Sequence, residues 1–343
     1  GTTADGEVVT ASDPSHVLVD PLGILAPGTV PPVACSTHLL MANPTRDSLT
    51  AVDVATHAAV TLPAGEEPID LVAADDCSTV VTLNQGGDSV SVIDVAAGTA
   101  TGLAVRPGRN RLDLSPDGAW VVVWADATRT GLGCVGAGTC ALGEVSVIDV
   151  DNLVVESFAT GLAPRDLLFT PDSARALIIA GTLGDIELVA GAVVFTRRLV
   201  SIDAEVVMGP SGDTLWMPSH ALNETLAVDT TTFVGSNLAS EVASDMELAA
   251  DGSELVVVYP DTARLAVYDP AAPLAAPTVT TPVPVVSATT QLRLAESRDA
   301  GVLFEGDGSG EELVVWQRDP ESLVTRSLGR SIRAVELTPD GSV

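Results

Sequence analysis

The sequence predicts an all-β protein, a seven-bladed β-propeller of four-stranded antiparallel blades. Three observations carry this. A turn phrase near SPDG recurs along the 343-residue chain, as LSPDGAWVVVW (114–124), FTPDSARALII (169–179), MGPSGDTLWM (208–217), LAADGSELVVVY (248–259) and LTPDGSV (337–343). Its turns fall near 35, 77, 118, 173, 212, 252, 300 and 341, a period that marks a repeat array. Each unit holds four short runs rich in Val, Ile, Leu and Thr, broken by Gly, Asp, Pro or Ser, and no stretch sustains a helical apolar period. Four strands in roughly 40 residues make one blade.

Each element has a local reason. In the turn between first and second strands, Pro presets the backbone, Asp closes its own loop and Gly or Ser tolerates the tight reversal. The Asp after the third strand (Asp53, Asp94, Asp149, Asp229, Asp269) marks a second turn and reads as a turn-former rather than a ligand. Six full units run from the strand at 69–74 to Leu328. A lone strand at 333–338 and three strands at 38–43, 49–54 and 58–62 remain, and together they make a seventh blade of one plus three. Pairing 333–338 with 38–43 would remove two open sheet edges. An eighth, truncated blade is the alternative.

The propeller is assigned to 37–343 and residues 1–36 to an N-terminal leader or tether. The chain opens at Gly1 without Met or an apolar signal segment, and GTTADGEVVTASDPS reads as a tether behind a processed signal or a lipid anchor. No run is long enough to span a membrane. Net charge is −30 and all 16 basic residues are Arg. Such a surface argues against nucleic acid and anionic membranes as partners.

Cysteine usage points outside the cytosol. Cys134 and Cys140 bracket a Gly-rich loop, GLGCVGAGTCALG, in an insertion at about 125–144, and a disulfide there would staple it. Cys35 and Cys77 precede matching strands of neighbouring blades; they read as a second disulfide or as two separate buried thiols. The four Cys are scattered and no His joins them at zinc-ligand spacing.

The unit VVTLNQGGDSVSVIDVAAGTATGLAVRPGRNRLDLSPDGAWVVV (80–123) resembles the YVTN-type propeller repeat of bacterial and archaeal surface-layer and secreted proteins. The likeness lies in Asn84 and Asn43 closing second strands, VSVID in the third, and the SPDG turn. It touches every unit and is crisp in about three; Trp124 and Tyr259 stand where the family often has Asn. The resemblance implies a seven-bladed ring and an extracytoplasmic place (secreted, periplasmic or cell-surface), with little chemistry attached.

The residues offer no catalytic cluster. His16, His38, His57 and His220 are isolated, no Ser or Cys sits in a nucleophile elbow, GLGCVGAGTC lacks the GK[ST] ending of a phosphate loop, and EGDGSGEE (305–312) reads as an acidic hairpin turn rather than a calcium loop. Stacking the first strands on their turns leaves one constellation. Asp70, Arg111, Asp166, Glu205 and Asp245 form one tier; Asp113, Glu247, Arg293 and Glu336 form another. By strand alternation these charges lie opposite the core contacts, facing the channel of a propeller. They read either as a solvated wall of Arg–carboxylate pairs or as a site for a divalent cation or a polar, amine-bearing ligand. Three functions follow: a non-catalytic binding or scaffold propeller engaging a protein or small polar ligand at the cell surface, a metal-dependent lactonase-like hydrolase, or a structural component of a surface layer or appendage.

Overall fold

A computed structural model describes residues 30, 32–126, 142–161, 163–180, 182–188, 193–201, 206–272, 274–283, 287–295, 300–305, 309–318, 321–327 and 335. Among them are seven sheets, each of four antiparallel strands joined in chain order. They are the blades of an all-β propeller. The sheets span 33–63, 68–104, 111–159, 166–201, 207–239, 245–282 and 290–327, and are called sheets 1 to 7. One three-residue 3-10 turn, Pro44–Arg46, interrupts the strands. The chain forms two compact units, one holding sheets 1–3 and most of sheet 4, the other sheets 5–7.

The turn phrase builds the first hairpin of each blade as its chemistry requires. In sheet 3 the Gly118 N–H donates to Ser115 O at 2.9 Å. The Ala119 N–H donates to Asp117 Oδ1 at 3.0 Å, and Ser115 Oγ donates to the same carboxylate at 2.6 Å. The residue at the reversal has a left-handed backbone in five blades: Cys77, Gly118, Ser173, Gly212 and Gly252, with φ of 62°, 74°, 57°, 76° and 71°. Glycine adopts that region without penalty, which is why it recurs there.

The Asp after each third strand is a turn-former, as its position implied. Asp53 Oδ1 accepts from the Ala55 and Thr56 N–H groups at 3.0 and 2.7 Å, and Asp229 Oδ1 from Thr231 and Thr232 at 3.0 and 2.6 Å. Asp94, Asp149 and Asp269 accept from Ala97, Asn152 and Ala271.

Cores lie between neighbouring sheets. Val81, Leu83 and Val90 of sheet 2 pack with Leu112, Val121 and Ile148 of sheet 3; Val256, Val258 and Leu265 of sheet 6 pack with Leu292, Leu303 and Trp316 of sheet 7. Several second strands are buried along their whole length, Val80–Asn84, Trp120–Trp124 and Leu255–Tyr259 among them, and read as largely apolar runs.

Among the described residues, the edge strand of sheet 1 is Val33–Ala34, paired with Leu40 and Leu39. This strand lies within the segment assigned to the tether. A two-residue strand is too short to leave a periodic signal. The bond between Cys35 and Cys77, with Cα atoms 5.4 Å apart, holds the following turn against sheet 2. Residues 333–338, expected to pair with 38–43, lie outside the described residues except Val335, which packs against Val302, Phe304 and Leu313 of sheet 7.

Candidate functional site

The first strand of a blade has one edge that its own sheet leaves unpaired. Buried backbone N–H groups there need acceptors from elsewhere. The first-strand carboxylates supply them. Asp70 Oδ2, in sheet 2, accepts from the Leu112 N–H of sheet 3 at 3.0 Å. Asp245 Oδ2, in sheet 6, accepts from the Leu292 N–H of sheet 7 at 2.7 Å, while its Oδ1 accepts from Met246 N at 2.8 Å. Glu247 Oε2 repeats the device two residues on, accepting from Leu294 N at 2.6 Å. Each carboxylate therefore bridges two blades.

This changes the meaning of the charge tiers. Asp70 and Asp245 are buried, at 9% and 7% exposure, rather than lining open solvent. A bulge aims Asp70: Pro68 pairs with Asn84 and Asp70 with Leu83, leaving Ile69 as the extra residue.

Arg111 sits in a different environment. Its guanidinium lies 3.6 Å from Asp113, 3.6 Å from Asp126 and 3.9 Å from Asp166, and 4.9 Å over the Trp124 ring. Trp124 Nε1 in turn donates to Asp113 Oδ2 at 2.6 Å. Burial raises the Asp113 carboxyl above its usual range, against the lowering pull of Trp124 and Arg111. Asp126 and Trp124 were not among the expected site residues. Only the strand register, which sets Trp124 opposite Arg111 and Val122 opposite Asp113, brings Trp124 to these groups.

In sheet 7, Arg293 lies 3.7 Å from Asp245 Oδ2 and donates to Leu292 O at 2.5 Å. Burial pushes Glu247 up to about 7, more than the Leu294 N–H and Arg293 lower it. Glu205, Glu336, Cys134 and Cys140 lie outside the described residues. Among the described residues, no three His, Cys, Asp or Glu side chains converge to hold a metal ion.

A cavity of about 200 Å³ opens in sheet 7, lined by Thr290, Leu303, Phe304, Glu305, Gly310 and Val314 among others. Of the three glutamates lining it, Glu305, Glu311 and Glu312, the first is engaged: Glu305 Oε2 accepts from Ser287 Oγ at 2.5 Å and Thr289 Oγ1 at 2.6 Å, and Oε1 from Thr290 Oγ1 at 3.0 Å.

No protein-family model matches the chain, and no curated protein does so significantly. Solved structures share its fold. A eukaryotic initiation factor superposes with a TM-score of 0.59 at 12% identity, covering 91% of this chain and 79% of that one. The dihydro-heme d1 dehydrogenase NirN, in complex with DHE, gives 0.54 at 14% identity over 88% and 66%. A β-propeller domain from Myceliophteria thermophila gives 0.45 at 12% identity over 78% and 86%. Likeness at this identity concerns fold alone, and a translation factor beside an oxidoreductase shows how little function the fold fixes.

Proposed function

We propose that this chain is an extracytoplasmic propeller of the YVTN type that acts as a non-catalytic binding or scaffold module, engaging a protein or a small polar ligand at the cell surface. The observation that carries this is the fate of the first-strand charges. Three of the candidate carboxylates, Asp70, Asp245 and Glu247, each hold a backbone N–H of the next blade. Groups so engaged make a rigid frame and leave recognition to the hairpins. The Cys35–Cys77 disulfide supports the location, since such bonds persist in oxidising compartments. Apolar exposure supports the role: Val54, Leu153, Val234 and Leu274, each between 41% and 62% exposed, all lie on connections between third and fourth strands.

The test is calorimetric titration with calcium and with manganese, run beside a lactone ring-opening assay in the same buffers. A frame gives neither saturable heat nor metal-dependent turnover. Saturable heat together with turnover, both lost in an Asp166→Asn, Asp245→Asn double variant that still folds, would establish the hydrolase and overturn the scaffold reading.

A further inference from the structure

We propose that Asn223 is the acceptor of an N-linked oligosaccharide; the proposal rests on the extracytoplasmic reading above. The chain has six asparagines, at 43, 84, 110, 152, 223 and 237. Two stand in an Asn-X-Ser/Thr triplet, Asn43-Pro44-Thr45 and Asn223-Glu224-Thr225. Proline at the middle position bars the first from glycosylation. The Asn43 amide is in any case engaged, donating to Ser48 Oγ at 3.4 Å and Thr50 Oγ1 at 3.0 Å. Asn84, Asn110 and Asn152 are likewise held by side-chain hydrogen bonds.

Asn223 differs on every count. It is exposed at the tip of the hairpin joining Thr214–Ser219 to Glu224–Asp229. Its φ of 56° is a left-handed conformation that asparagine tolerates. Its amide makes no side-chain hydrogen bond among the described residues. Beside it Leu222 is 62% exposed, an apolar side chain that a bulky hydrophilic sugar would cover.

Thr225 sets the order of events. Its side chain is fully buried; Oγ1 donates to Glu241 O at 2.8 Å and accepts from Ala243 N at 3.1 Å. The hydroxyl that completes the acceptor triplet is therefore hidden once sheet 5 forms, so transfer precedes folding of this blade. In the transfer, Asn223 Nδ2 attacks the anomeric carbon of a sugar carried on a polyisoprenyl pyrophosphate. The carbon–nitrogen bond forms and the bond from that carbon to the phosphate oxygen breaks. The amide gives up one proton to a base of the transferase, and the lipid pyrophosphate leaves with the electron pair.

The experiment is intact mass of the protein isolated from the cells that make it, alkylated without reduction, before and after peptide-N-glycosidase. The expected result is excess mass that the enzyme removes, absent in Asn223→Gln and retained in Thr225→Ser. Because the glycosidase leaves aspartate at 223, which tolerates the left-handed backbone as asparagine does, Asn223→Asp should melt as the glycosidase-treated parent does. An intact Cys35–Cys77 bond with unmodified Asn223 overturns this inference and leaves the compartment standing. Reduced cysteines with unmodified Asn223 overturn both. Equal transfer in vitro to folded and urea-unfolded sugar-free protein overturns the order of events.

Discussion

The junctions of sheet 2 with its neighbours and the junction of sheets 6 and 7 solve one problem with different chemistry. At the first, a covalent bond joins the turns of sheets 1 and 2, and a single described first-strand carboxylate, Asp70, reaches sheet 3. At the second, Asp245 and Glu247 both reach across, and Arg318 of sheet 7 forms a bidentate pair with Glu254 of sheet 6. Val72 stands in sheet 2 where Glu247 stands in sheet 6, and it has no oxygen to offer. One end of the chain is thus stapled covalently, with a single carboxylate bridge beside the staple. The other is held by ionisable groups. A repeat can keep its geometry while exchanging the interaction that closes each seam, provided every edge N–H finds an acceptor.

The largest test of this contrast is Cys77→Ser. The bond closes a separation of 42 residues, and the loss of loop entropy it imposes on the unfolded chain is worth about 4 kcal/mol. Urea unfolding should show a loss approaching that size, equal to the effect of reductant on the parent. A variant that unfolds at the parent's midpoint would mean the staple is not what holds sheets 1 and 2.

Next come the bridging carboxylates. Asp245→Ala leaves the Leu292 N–H bare and Arg293 without its nearest described carboxylate, and should lose about 3 kcal/mol; Asp70→Ala, which strips Leu112, should lose about 2 kcal/mol. Amide exchange sharpens the comparison, because Leu292 should lose protection in the first variant and Leu112 in the second. Unchanged protection at those two amides would break the bridging account.

The smallest effect is the most diagnostic. Glu247, pushed by burial from 4.5 to about 7, keeps its proton in the folded chain where the unfolded side chain has lost it. Stability should therefore fall as pH rises from about 4.5 to about 7, and level off above. Glu247 remains partly open to solvent, so screening reduces the step. Turn carboxylates act in the opposite sense. Hydrogen bonds from Thr56, Ser78 and Thr170 hold Asp53, Asp76 and Asp172 below the usual range, so their contribution is lost on stronger acidification. Melting temperatures of Glu247→Gln across pH 3 to 8 should retain the acid limb and lose the decline toward neutrality. A decline identical to the parent's would assign it to another group.

Much of this molecule follows from sequence alone. The blade count, the strand boundaries and the role of Asp53, Asp94, Asp149, Asp229 and Asp269 are local matters. They depend on residues within a few positions of one another, and turn chemistry and apolar periodicity act at that range. The alignment of Asp70, Asp166 and Asp245 at one repeat position was legible too, because a repeat places equivalent residues alike. What tertiary structure alone decided is what those carboxylates do. Asp70 meets Leu112 across 42 positions and Asp245 meets Leu292 across 47, and no local pattern announces a backbone donor that far away. The same holds for Val33–Ala34, a strand too short to leave a periodic pattern, and for Trp124, whose indole reaches Asp113 only once the two strands are in register. Charge on a strand face is written in the sequence; whether that charge meets water, a ligand or a backbone N–H depends on the edge that packing brings beside it.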